Sequence, residues 1–133
     1  MGTSTLPTNL PTDHKKIVVQ GYAQWNSEWP LIFVSVMHED GTRVRNLDIE
    51  SFKVGRMGHG SHWVEVPISG FNNNGWAHGF YSLELSFNTE GLSWNFNPDN
   101  IFTVEAFKTE LEGLHRIAYR GQCLAAMQTK ELP

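Results

Sequence analysis

Between Gly79 and Phe87 the chain alternates between apolar and polar side chains. Tyr81, Leu83, Leu85 and Phe87 fall on one side of an extended segment, and Ser82, Glu84 and Ser86 on the other. Side chains in a strand alternate with period two, so this run predicts a strand with one face in a core and one in water. The same period recurs along the chain. Lys16 to Gln24 sets Ile17 and Val19 against Val18, Gln20 and Tyr22, with Gly21 marking a bulge or a close backbone approach. Leu31 to Met37 is continuously apolar enough to predict burial on both faces. His62 to Ile68 sets Val64, Val66 and Ile68 against Trp63 and Glu65, and Pro67 makes that run an edge strand or marks its end. Ile101 to Phe107 alternates again.

Shorter signals fill the gaps. Asp40-Gly41 is a hairpin turn pair that would return the chain through a short strand, Arg43 to Arg45. Ser51 to Val54 predicts another strand. Ser69 to His78 reads as the longest polar loop of the body, and Leu92, Trp94 and Phe96 as a short strand or a loop over one end of the core. From 109 to 127 two readings stand: a hairpin turning at Thr109 to Gly113, or a helix with a Leu111, Leu114, Ala118 stripe. Seven to nine short strands with turn signals every 8–12 residues predict an all-β sandwich or barrel, and the fold expected is an antiparallel β-sandwich. One domain, 15–129, is expected between an N-terminal tail, 1–14, and a C-terminal tail, 130–133.

Composition sharpens this picture. Aromatics are 12% of the 133 residues, which suits a sheet, and charged residues are 18%. The net charge of −4 and the absence of a basic stripe disfavour a nucleic-acid partner. No apolar run is long enough to span a bilayer, and no secretion signal is visible. The single cysteine, Cys123, forms no intrachain disulfide, reads as a small buried strand residue and is compatible with the cytoplasm, though the compartment is left open.

Three segments carry a resemblance. Leu31 to Val54 holds a V-x-V strand, an Asp-Gly turn, then a valine, a leucine and an F-x-V. Gly79-Phe80-Tyr81-Ser82-Leu83 has the form G-x-Y-x-L, and Gly121 to Ala125 the form G-Q-x-L. Together they resemble immunoglobulin-like or prealbumin-like modules, in which such a tyrosine bonds back to the backbone at a sheet corner. The resemblance implies an accessory or interaction module rather than one family.

The chemistry on offer is that of binding more than of catalysis. Trp63, in phase with solvent, and Trp76, in the Asn72-Asn73-Asn74 loop, are candidate ligand-binding residues, since exposed tryptophans beside asparagines suit sugar stacking and protein hot spots alike. His59, His62 and His78 are candidate metal ligands, with His38 or Glu65 to complete the set. There is no nucleophile elbow, and the carboxylate pairs fall in turns. The expectation is a non-catalytic module with a protein partner and no cofactor. A carbohydrate-binding module is the alternative, and a metal-dependent hydrolase a weaker one.

Overall fold

The computed structural model describes residues 11–25, 29–57, 63–73, 78–85 and 100–128. These residues form eight strands: β1 (Thr12–Trp25), β2 (Pro30–His38), β3 (Phe52–Met57), β4 (Trp63–Val66), β5 (Ile68–Asn73), β6 (Phe80–Leu85), β7 (Ile101–Glu112) and β8 (His115–Ala126). A single 3₁₀ turn, Ile49–Ser51, precedes β3, capped by the Asp48 side chain. The strands join in one hydrogen-bonded order, β4-β3-β7-β8-β1-β2-β6-β5.

The sheet is mixed, which corrects the expectation of a wholly antiparallel one. Thr12 to Lys16 of β1 run parallel to Arg116 to Arg120 of β8, and Ile17 to Trp25 then pair antiparallel with β2. One strand therefore changes neighbour at Ile17. This also carries regular pairing back to Thr12, so three residues assigned to the tail belong to the sheet. At the far ends of the order, β4 and β5 are separated by Pro67 alone. The two ends of the strand order are thus one continuous stretch of chain, and the sheet must curl to bring them together.

Curling places the inner faces against each other. Val54, Phe102, Val104 and Ala106 from one half share a single apolar cluster with Ile32, Val34, Tyr81, Leu83 and Leu85 from the other. Rings cross the middle: Phe52 lies 5.4 Å from Tyr81 and 5.8 Å from Phe71. The Tyr81 hydroxyl donates to the Val44 carbonyl at 2.6 Å and accepts from the Leu47 N–H at 3.3 Å. The expected backbone bond of this tyrosine is therefore present, and it fastens β6 to the long connection between β2 and β3.

Gly121 lies where β1 parts from β8. A Cβ there would overlap the Ile17 carbonyl oxygen and come within 3.0 Å of Val19 Cγ2. Gly21 is a close approach too, its position for a Cβ being 2.5 Å from the Phe33 carbonyl oxygen, while the β1–β2 register runs on without a bulge.

Other expectations are revised. Arg43 to Arg45 make one bridge, Met37 to Arg43, rather than a strand. Ser69 to Asn73 are not loop but part of β5, paired with β6 through a bulge between Ile68 and Gly70. β7 and β8 form a hairpin joined by Gly113-Leu114, which decides between the strand and helix readings of 109–127. Leu92, Trp94 and Phe96 lie outside the described residues.

Candidate functional site

Strand parity sorts the described surface into two outer faces. On β1, β2, β6 and β5 the register aligns Tyr22, Phe33, Ser82 and Asn72 in one row across four strands. Gln20, Ser35 and Phe80 form the next. Tyr22 is 43% exposed and Phe80 39%. The Tyr22 and Phe33 rings sit 5.3 Å apart at 30°, so they extend one another instead of hiding face to face. The Arg43 guanidinium stacks over Phe80 at 4.8 Å to the ring centre, a cation–π contact that holds this ring in place. Arg43 also donates to the His78 carbonyl at 3.3 Å, tying it to the turn before β6.

Between these rings is a shallow cavity of about 370 Å³, lined by Gln20, Tyr22, Phe33, Ser35 and Phe80. Its lining holds no carboxylate, imidazole or thiol. The cavity can stack a flat apolar surface and exchange hydrogen bonds with amide and hydroxyl groups.

The residues singled out in the sequence are scattered. Trp63 is outward on β4 and 49% exposed, as its phase predicts, above a small cavity shared with Gly55, Glu65 and Thr103. Asn72 lies opposite Ser82, and Asn73 opposite Tyr81. Trp63 and Asn72 are nine residues apart along the extended β4–β5 stretch, roughly 25–30 Å at a strand's rise, and they pair with strands in different halves. They do not form one platform. Among the described members of the expected group, only Asn72 shares a row with the aromatic face. Asn74 and Trp76 lie outside the described residues.

The metal candidates are likewise divided. His59 and His62 lie outside the described residues, and His78 is exposed in its turn. The His38 ring packs edge-on against Tyr119 at 5.2 Å, while Glu65 is on β4 in the other half of the sheet. Among the described residues no three His, Cys, Asp or Glu side chains converge on a metal-sized site.

Cys123 sits half-buried against the core, and burial pushes its thiol pKa up, away from the thiolate form that reacts. Iodoacetamide at pH 7.5 is expected to label it several-fold more slowly in the folded protein than in urea. Equal rates would show an accessible thiol.

Sequence reasoning missed Tyr22, Phe33 and Phe80 although the signal was there. Val18, Gln20 and Tyr22 were already placed together on one side of β1, and Phe80 shares the parity of Ser82 and Glu84. What concealed the face was β2, whose unbroken apolar run reads as buried on both sides. The chain matches no family model, no curated protein and no solved structure in these comparisons.

Proposed function

We propose that this chain is a non-catalytic binding module that takes a neutral carbohydrate on the outer face of β1, β2 and β6. The observation that carries the reading is the Tyr22–Phe33–Phe80 cavity. Exposed rings stack on the apolar faces of pyranose units, and Gln20, Ser35, Ser82 and Asn72 supply uncharged partners for hydroxyl groups. Among the described residues, Arg43 and Glu84 are charged groups beside this face, and Arg43 is already stacked on Phe80. The platform thus uses other aromatics than the tryptophans first suggested.

The scaffold we infer is an immunoglobulin-like sandwich. In support, β1-β2-β6-β5 and β3-β7-β8 follow the order of the two sheets in its seven-strand form, with β4 as an added edge strand from which the chain passes into β5. One departure is that the bonding tyrosine is on β6, the fifth strand of that scheme, not the sixth.

Isothermal titration against soluble β-glucans, mannans and xylans tests the function. One of them should bind, and Tyr22→Ala or Phe80→Ala should weaken it about tenfold or more, in the range of one lost aromatic contact. Trp63→Ala should leave it unchanged. Absence of binding across neutral glycans, or loss with Trp63→Ala alone, would sink the reading. The protein-partner reading draws on another part of the surface.

A further inference from the structure

The opposite outer face, on β3, β7, β8 and the first half of β1, is charged. Register and parity place Lys16 beside Arg120 and Phe107, His14 beside Ala118, Lys53 beside Glu105, and Arg116 beside Thr12. Four Lys or Arg residues therefore share a face in a chain of net charge −4. Glu105, the carboxylate among them, is already engaged by Arg120, whose Nε donates to it at 2.7 Å. His14, Lys16, Glu105 and Arg120 line a groove of about 710 Å³.

This face borders an open strand edge. β2 ends at His38, opposite Ile17, so from Asp13 to Lys16 the only strand that pairs with β1 among the described residues is β8. Beside that edge lies a second cleft of about 820 Å³, with Lys15, Lys16 and Tyr119 on one side and His38, Glu39 and Asp40 on the other. Asp40 is held by Thr42, which gives it both a backbone and a hydroxyl hydrogen bond.

We propose that the Asp13–Lys16 edge takes an extended acidic polypeptide as an added strand. Backbone groups on an open edge provide the pairing, and alternate side chains are read separately on the two faces. On the outer face the partner meets His14, Lys16 and Arg120, which favour carboxylates. On the other it meets Tyr119 and Lys15, whose charge Glu39 and Asp40 offset, a set that favours uncharged groups. The expected partner therefore alternates acidic with uncharged residues. The lysines that attract it also repel a second copy of the same edge, as charged edge residues do in native sheets.

The test is fluorescence anisotropy with two labelled decapeptides of one composition, Glu and Thr alternating or in two blocks of five. The alternating peptide should bind at least fivefold more tightly than the blocked one, and raising salt from 50 to 500 mM should weaken it. Lys16→Glu should weaken it tenfold or more, while Tyr22→Ala, on the carbohydrate face, should not change it. Equal binding of the two peptides, equally tight binding of polygalacturonate or a DNA oligomer, or no binding at all would each overturn the proposal.

Discussion

Gly121→Val is expected to lower the unfolding free energy by about 3 kcal/mol, the upper part of the range for forcing extra carbon into a packed site. The obstacle is backbone, not a side chain that could turn aside. A Cβ at 121 would overlap the Ile17 carbonyl oxygen and crowd Val19, at the point where β1 leaves β8 for β2. Relief requires β1 to lift away from β8, and Ile17 and Val19 are both members of the core. Urea titration reads the effect directly. Gly121→Ala should move the midpoint the same way by less, since its smaller side chain still meets the Ile17 oxygen. An unchanged midpoint for the valine variant would mean that β1 does not cross β8 at this position.

Tyr81→Phe should be the second large effect, about 1–3 kcal/mol. The substitution keeps the ring and its contacts with Phe52 and Phe71. It removes the one hydroxyl that serves both the Val44 carbonyl and the Leu47 N–H. Val44 and Leu47 are buried, so water does not readily replace the lost partner, and an unmet buried group carries most of the cost. Burial also pushes the phenol pKa up, which keeps the proton on the oxygen and the donor role intact at neutral pH. Hydrogen exchange at the Leu47 amide should accelerate more than the global loss of stability explains. Tyr81→Ala, which also empties the ring's place, should cost about 3–5 kcal/mol.

Much of this architecture was legible in period two. The inward set Tyr81, Leu83 and Leu85 and the outward Trp63 follow from alternation alone, because a strand has no other way to present its side chains. Pairing with distant partners was not legible. Nothing local in Thr12 to Lys16 announces a parallel neighbour more than a hundred residues later, and these residues follow directly on a Thr- and Pro-rich segment. Ser69 to Asn73 failed for a related reason. Gly70, Asn72 and Asn73 have the composition of a turn, and their strand exists because β6 supplies the register.

The candidate site divides along the same line. Each of Tyr22, Phe33 and Phe80 had a readable direction, but that the three meet depends on the order β1-β2-β6, which alternation does not encode. A continuous apolar run like β2 is ambiguous by nature. Its inward residues Ile32, Val34 and Val36 are fully buried, whereas Leu31, Phe33 and Met37 are half-covered and outward. Periodicity cannot separate a second core from an aromatic platform.

The parallel seam between β1 and β8 also determines how the protein responds to being pulled. Two neighbouring strands that run the same way place the start of β1 and the end of β8 at opposite ends of the seam. Tension applied between these two points then acts along the seam and loads the bonds of its five residue pairs together, where an antiparallel end pair would open one bond at a time. Pulling between the start of β1 and the end of β8 is therefore expected to need more force than peeling β8 from β7 at their hairpin end.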